Sequence, residues 1–472
     1  MTSLVIFADD IRTHDHPALA QAMAGENKVV CAFFFYQLAL KKYGAVRNKF
    51  LCDSLSILEK NLSSLGVRLH GIEASSIKQA QIALDSLIAE QKITSILFNM
   101  PIDPDHQALL TALTQHRSLK VESFIDQTFA KPGQVLNSSG QPFKVFTPFF
   151  KKIQHLIFSQ PQLLSLAIIA KKRLALSSQN LLFPAWLKRN HYDQHDFPPG
   201  EPEALKRLAE FVVDGVNDYS TARDFFSQEG SSKLSPYFAI GCLSIRSAIK
   251  QLLATQATKT KQPHSGAQIF LSELIWREFY RHLWAAFPRL KQGEPFRENY
   301  RHFKWRKSPE DLLAWQEGRT GIPLIDAAMR CFKQSSFMHN RLRMIVASFL
   351  SKNLLLDWHA GENYFLTHLI DADLPSNNGG WQWSASVGCD AQPYFRIFNP
   401  ITQGQRYHAA DFIRQWVPEL SQLDTKAIHE PWRYFTPSQL KSLTYLSPIC
   451  DLSSSRVRAI KAYASCSEEN TI

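Results

Sequence analysis

Continuous apolar runs separated by polar, helix-patterned stretches dominate the first 130 residues. Leu4-Val5-Ile6-Phe7-Ala8 is the first such run, and Val29-Val30-Cys31-Ala32-Phe33-Phe34-Phe35-Tyr36 the second. Val67 to Glu73, Ile93 to Met100 and Val121 to Phe124 follow as further strand-like segments. Between them, His16-Pro17 opens a helical pattern and Asn48 to Leu65 carries helical periodicity. Strands that are apolar throughout have both faces covered. Their alternation with helices predicts a parallel sheet in an α/β domain over residues 1–130. The arrangement is Rossmann-like, yet no G-x-G-x-x-G occurs, which excludes a standard dinucleotide fold. The Asp10, Arg12 and Asp15 cluster after the first strand reads equally as a site and as a salt-bridged loop.

The pattern changes after residue 130. Lys131-Pro132-Gly133, Ser138-Ser139-Gly140 and Phe197-Pro198-Pro199-Gly200 are breakers, so residues 131–204 read as a linker with a partly helical middle, Phe149 to Ala170. From 205 to 472 strand signals almost vanish and amphipathic helical patterns take over, which predicts a larger all-α C-terminal part.

Composition narrows the function. The chain has 472 residues, 45% hydrophobic, with a formal charge of +11. That balance points to a polyanionic partner, most simply nucleic acid. Seven cysteines without a C-x-x-C pair argue against a disulfide framework or zinc finger and for a reducing, cytoplasmic setting. No signal-peptide pattern and no membrane-length apolar run is expected.

Four stretches carry candidate chemistry. Gly230-Ser231-Ser232-Lys233-Leu234-Ser235 offers hydroxyls, a lysine and backbone amides ahead of a helix, which suits a diphosphate or plain N-capping. In the predicted helix 270–281, Glu273, Trp276, Arg277 and Tyr280 share one face. The set reads as a pocket wall for a flat ligand, or as an exposed face with a Glu273–Arg277 ion pair. In the predicted helix 337–349, Asn340 and Met344 lie one turn apart. A mid-helix Asn costs propensity and so is expected to bond something, and Arg343 is expected to pair with Asp371 or Asp373. Asp371 to Trp383 is dense in Asp, Asn, Ser, Pro and Gly and reads as a functional loop. Trp305, Trp358 and Trp381 are spread along the same part, where core packing is the ordinary reading.

Taken together, Glu273-Leu274-Ile275-Trp276-Arg277-Glu278-Phe279-Tyr280, Met338-His339-Asn340-Arg341-Leu342-Arg343-Met344 and Asn377-Asn378-Gly379-Gly380-Trp381-Gln382-Trp383 resemble the photolyase/cryptochrome family. They are most like the bacterial class I cyclobutane pyrimidine dimer photolyases. Gly318 to Pro323, Asp326 to Arg330, Tyr394 to Pro400 and Lys144 to Phe149 extend the match, which is dense from 205 to 435 and looser before 130. The resemblance implies that the all-α part is a catalytic domain holding folded FAD and binding DNA. By matching position, Tyr219, Ser231, Ser232, Lys233, Leu234 and Ser235 would hold the flavin diphosphate and its surroundings. Arg277, Asn340, Arg343, Asp371, Asp373 and Asn377 would surround the flavin, with Asn377 near N5 and Arg343 paired with Asp371.

The implied reaction is light-driven repair: excited reduced FAD passes an electron to a flipped-out dimer, the ring splits and the electron returns. Glu273 and Asn340 would contact the thymine bases, Trp276 and Trp383 would pack on the dimer, and Met344 would touch it. Arg223, Arg341 and Arg396 would contact DNA phosphate or its neighbourhood. Trp381, Trp358 and Trp305 match the family's electron-transfer chain from flavin to surface. The expected partner is UV-damaged DNA, and the chain is expected to be a monomer. A second, antenna chromophore of folate or deazaflavin type is left open. The folate-contacting positions carry Asp105-His106 and Lys291-Gln292 instead of Asn-Glu and Cys-Lys. Ala8 replaces a usual arginine, and Phe337, Ser231 and Lys233 replace the more familiar Trp, Thr and Arg. The alternatives are a blue-light photoreceptor cryptochrome, a (6-4) photolyase and a non-catalytic DNA-binding flavoprotein. Asn340 and Met344 stand where (6-4) enzymes typically place histidines.

Overall fold

The computed structural model describes the chain except residues 26–27, 116–118, 161–165, 168–175, 177–180, 193–194, 257–258 and 469–472. Five strands form one sheet: β1 (Thr2–Phe7), β2 (Lys28–Tyr36), β3 (Arg68–Ala74), β4 (Ile93–Asn99) and β5 (Lys120–Phe124). The order is β3-β2-β1-β4-β5 and every pairing is parallel. The register sets Leu4 beside Val30 and Ile96, in the interior of the sheet. Helices α1 (Pro17–Ala24), α2 (Gln37–Leu40), α3 (Ala45–Ser64), α4 (Ile77–Gln91) and α5 (Pro104–Thr114) make the crossovers. On one face Leu4, Ile6, Val30, Phe34, Ile96 and Phe98 pack with Leu84, Leu109 and Leu113. The alternate residues Val5, Phe7, Cys31, Phe33 and Phe35 are equally buried on the other face. The unbroken apolar runs therefore reflect a sheet covered on both sides.

His16 caps α1, its Nδ1 accepting from Leu19 N at 3.0 Å, and Pro17 supplies the preset first-turn φ. Asp103 caps α5 in the same way, accepting from Asp105 N at 2.8 Å. The expected linker contains α6 (Phe146–Ser159), shorter than the predicted helical middle; residues 161–165 and 168–170 of that stretch lie outside the described residues.

The remainder is helical: α7 (Glu201–Glu210), α8 (Val216–Ala222), α9 (Ser235–Ala239), α10 (Ile245–Gln256), α11 (Gly266–Ala286), α12 (Pro309–Glu317) and α13 (Pro323–Ser335), then α14 (Asn340–Ser348), α15 (Trp358–His368), α16 (Leu374–Ser384), α17 (Pro400–Arg406), α18 (Ala410–Trp416), α19 (Pro437–Ser442) and α20 (Leu452–Glu468). Two compact units account for the contacts. The first is Met1–Ser220 with Ser232–Ala286 and Ile370–Leu374; the second is Thr221–Ser231, Phe287–Leu369 and Pro375–Ile472. The unit boundaries fall inside the helical part, so α7, α9, α10 and α11 pack in the unit that contains the sheet. Among the described residues no helix is long and apolar enough to cross a membrane.

Two expected elements differ. Asp371 to Trp383 is not one loop: α16 runs from Leu374, and Asn377 to Trp383 lie on it. The Asn-Asn-Gly-Gly run has poor helix propensity, but tertiary bonds override it. Asn377 Nδ2 donates to Glu362 O at 3.0 Å and Asn378 Nδ2 to Glu362 Oε1 at 2.8 Å, while within the helix Gln382 Nε2 donates to Asn378 Oδ1 at 3.0 Å. Nor does the helix predicted over 337–349 begin at Phe337. His339 is the N-cap of α14, accepting from Arg341 N at 3.2 Å, so Asn340 is its first residue rather than a mid-helix one.

Candidate functional site

In the first unit the candidates gather on α11 and the 370–374 segment. Helix α11 presents Glu273, Trp276 and Arg277 on a partly exposed face, while Leu274, Ile275, Glu278 and Phe279 turn inward. Glu278 is buried and its two carboxylate oxygens accept from Phe129 N and Ala130 N, both at 2.9 Å. That clamp holds α11 against the chain leaving β5 and sets the angle at which its other face is shown. The Glu273–Arg277 pair weighed from spacing is not how Arg277 is held. Its guanidinium donates to Gln127 O at 2.9 Å, to Gln127 Oε1 at 3.0 Å and to Phe238 O at 3.4 Å, all neutral acceptors. Burial, then the nearby Arg281 charge, pull Arg277 down to about 9, against the opposing pull of Asp373 and Glu278. A guanidinium does not readily give up its proton, so this direction marks an undercompensated cation.

Arg281, one turn further on, is fully buried. It pairs with Asp373, Nη2 to Oδ2 at 2.6 Å, so Asp373 has a partner that sequence reasoning did not name. Arg281 Nε is buried without a hydrogen-bond partner among the described residues. The segment carrying Asp371 and Asp373 is tied down by Arg47 of α3, whose Nε donates to Ala372 O at 2.9 Å. Arg47 itself lies 3.6 Å over the Tyr43 ring. Tyr219 is buried edge-on against Phe211 at 5.4 Å and Phe270 at 5.7 Å. Ser232 and Lys233 are partly exposed, Leu234 is buried and Ser235 exposed. Lys233 lies in the left-handed region at φ 49°, with Nζ 3.6 Å from Asp196 Oδ1. Leu234, not a serine, is the N-cap of α9 and makes no side-chain cap bond, so the plain N-capping reading of this run does not hold.

In the second unit, Asn340 is exposed, and its Nδ2 lies 4.0 Å from Met344 Sδ, one turn further along α14, a loose contact. Arg343 Nε donates to Met338 O at 2.7 Å. Arg341 is bound by Asp224 through Nε at 3.0 Å and Nη2 at 2.6 Å and lies 4.3 Å over the Tyr407 ring. Its charge is compensated within the unit. Arg223 and Ser231 are partly exposed, and Arg396 is exposed. His339 is pulled down to about 4, by burial against the partly offsetting Arg223 backbone bond and then by the Arg341 charge. It caps α14 as a neutral ring.

The tryptophans differ in burial. Trp381 and Trp358 are 2% and 1% exposed, while Trp305 and Trp383 are partly exposed. Trp381 meets Phe365 at 5.0 Å and Trp315 at 6.1 Å, both edge-on. Trp358 stacks on His359 at 3.8 Å, and Trp305 packs on Phe303 at 4.3 Å. Trp315, fully buried and donating to Val346 O at 3.1 Å, went unremarked in the sequence because nothing in its spacing marks it as a neighbour of Trp381.

Residues 270–465 match the family described as the FAD binding domain of DNA photolyase, and residues 3–163 match DNA photolyase. The chain is 37% identical over 468 residues to the deoxyribodipyrimidine photo-lyase of Escherichia coli strain K12, covering 98% of both chains. It is 38% identical to that of Vibrio cholerae, again over 98% of each. The chain belongs to the DNA photolyase family. Among solved photolyases, the bacterial class III enzyme of Agrobacterium tumefaciens superimposes with a TM-score of 0.88 at 33% identity, covering 99% of this chain and 98% of that one. A Synechocystis cryptochrome follows at 0.83 and 26%, covering 98% and 99%.

The C-terminal helical part of this photolyase-family chain is therefore an FAD-binding domain. Its residues fit that group. The first unit offers an undercompensated Arg277 and an orphaned Arg281 Nε, both suited to an anionic or carbonyl-rich ligand. The folate-type positions show other engagements: Asp105 is ion-paired with Lys42, and His106 is buried with Nδ1 3.4 Å from Asp9 Oδ1. The Asp10, Arg12 and Asp15 cluster is a buried structural network. Arg12 Nη2 lies 2.5 Å from Asp126 Oδ1 and 2.7 Å from Asp15 O, and Arg246 bridges Asp15 and Asp126 at 3.0 Å each.

Proposed function

We propose that this protein is a deoxyribodipyrimidine photolyase, a carbon–carbon lyase that splits cyclobutane pyrimidine dimers in UV-damaged DNA under blue light. The observation that carries the reading is identity of 36–38% with curated deoxyribodipyrimidine photo-lyases along 98% of the chain. FAD, bound and fully reduced, supplies the light-driven electron that opens the cyclobutane ring.

The chain's own residues bind, orient and exclude water. In the first unit, Tyr219 and Ser232 to Ser235 hold the diphosphate and its surroundings, and Arg277, Asp371 and Asp373 line the flavin. In the second, Ser231 adds to the diphosphate set, and Asn340, Arg343 and Asn377 serve the flavin. Glu273 and Asn340 hydrogen-bond the extruded bases, and Trp276, Trp383 and Met344 pack on them. An extruded, already distorted dinucleotide costs less to unstack than an intact pair, which is the basis of selection. Arg223 and the exposed Arg396 serve phosphate; Arg341, neutralised by Asp224, serves mainly to hold its own helix. Trp305, Trp358 and Trp381 relay electrons inward from the surface. The +11 charge supplies salt-sensitive, sequence-independent affinity for DNA. The protein acts as a cytoplasmic monomer, which gel filtration with and without a dimer-containing oligonucleotide checks.

The test is repair itself. With reduced FAD bound, blue light is expected to restore dimer-containing DNA, read by loss of the dimer, while darkness leaves it unchanged. Glu273→Ala is expected to slow repair at least about 10-fold with flavin content unchanged. Dimer-DNA binding without light-dependent restoration would instead favour a photoreceptor.

A further inference from the structure

Trp276, on the partly exposed face of α11, is not a free-standing aromatic. The Phe146 ring, at the first residue of α6, lies parallel to its indole with centroids 3.7 Å apart and planes 6° apart. Isolated aromatic pairs prefer offset or edge-to-face packing over a centred sandwich, so this geometry is imposed by its surroundings. Phe146 is itself buried, tilted against Phe150 at 5.8 Å and edge-on to Phe279 at 5.8 Å. Phe149 locks the same helix to α11 through Phe279 at 5.2 Å and His282 at 5.1 Å. Trp276 also meets Phe279 edge-on at 5.7 Å and Tyr280, tilted by 36°, at 5.6 Å. One face of the indole is thus covered from within, and rotation about its side chain would drive the ring through Phe146.

We propose that Phe146 is a positioning residue for lesion recognition, backing Trp276 so that the indole offers one fixed plane to an extruded pyrimidine pair. The inference rests on the reading of Trp276 as a lesion-stacking residue. A preordered ring loses less side-chain freedom when a base stacks on it, so the gain appears as affinity for damaged DNA. A ring that merely filled core volume would affect stability without affecting discrimination.

The experiment measures dissociation constants of the FAD-bound protein in darkness, for matched oligonucleotides with and without a thymine dimer. Phe146→Ala is expected to weaken dimer-DNA binding about 3- to 10-fold, with affinity for undamaged DNA and flavin content unchanged. Phe146→Tyr is expected to restore the difference, and Phe146→Leu, which keeps volume but not a flat backing, to restore stability without discrimination. In the Trp276→Ala background, Phe146→Ala is expected to add nothing. Equal loss for both DNAs, no loss, or full rescue by Leu would overturn the proposal. Trp276→Ala separates the two levels. If it loses discrimination while Phe146→Ala does not, only the role of Phe146 fails; if it loses none, the reading of Trp276 fails as well.

Discussion

Lys352 shows how a single residue can act against the fold that contains it. Its side chain is fully buried in the π-helical turn Phe349–Asn353, and its Nζ donates to Arg396 O at 3.0 Å. Burial pulls the ammonium down to about 7. An unfolded lysine titrates near 10.4, so between those values the unfolded chain holds a proton that the folded chain does not. Stability therefore rises with pH from about 7 towards 10, and below 7 the burial penalty is fully present. Lys352→Met is expected to stabilise the protein at pH 6 by on the order of 2 kcal/mol, net of the orphaned Arg396 carbonyl. Chemical denaturation at pH 6 and 9.5 checks this, and the gain should shrink at the higher pH. The same bond tethers the backbone of an exposed candidate DNA contact, which accounts for a lysine at this position. Nothing in the sequence marked it: Ser351, Lys352 and Asn353 are all buried, and which polar residues end up buried is a property of packing, not of the local run.

Two glycines show what an element gains from its neighbours. Gly361 sits inside α15, where a Cβ would meet Trp381 Cη2 at 2.1 Å. Its absence of side chain lets the indole of α16 lie against the helix. Gly380 sits inside α16 with nothing within 4 Å of an added Cβ. Gly361→Ala is expected to destabilise by about 1–3 kcal/mol through overpacking and to shift tryptophan fluorescence. Gly380→Ala is expected to stabilise by about 0.5–1 kcal/mol by removing backbone freedom from the unfolded chain. Paired thermal melts read both. At this scale the five strands were legible to within two or three residues; for β1 and β2 the reason is that strands covered on both faces demand unbroken apolar runs, whereas the edge strands β3 and β5 carry polar residues and are partly exposed. Helix α11 was legible from its period. Helix α16 was not: its stabilising partner, Glu362, lies on another helix, and local propensity favours a turn. Arg281 as the partner of Asp373 was not legible, because a partner 92 residues away in the chain cannot be chosen from spacing.

At the scale of the molecule, the first unit is held to its sheet by charge as well as by apolar packing. Arg12, Asp15, Asp126 and Arg246 connect the loop after β1, the segment after β5 and helix α10. Burial alone would raise the Asp126 carboxyl, but Arg12 and Arg246 overcome it and hold it at about 2. The stability this contributes is present above the ordinary carboxylate value near 4 and is lost as pH falls towards 2. Asp126→Asn leaves two buried guanidinia undercompensated and is expected to cost roughly 3–5 kcal/mol at pH 7. The difference from the unsubstituted protein should narrow on acidification, as urea titrations at pH 7 and 3 would show. Close approach is also required here: Gly241, at φ +71°, lies where a Cβ would be 1.9 Å from Asp9 O.

Apolar period, charge and short motifs are local quantities, so the parallel sheet, the helical remainder, the basic character and the set of candidate residues could be read along the chain. Packing of whole elements was needed to bring Arg281 to Asp373 and Asp224 to Arg341, to make Asn377 to Trp383 helical and to set Phe146 against Trp276. Each of those depends on groups tens to hundreds of residues apart, and their proximity is set by how whole elements pack.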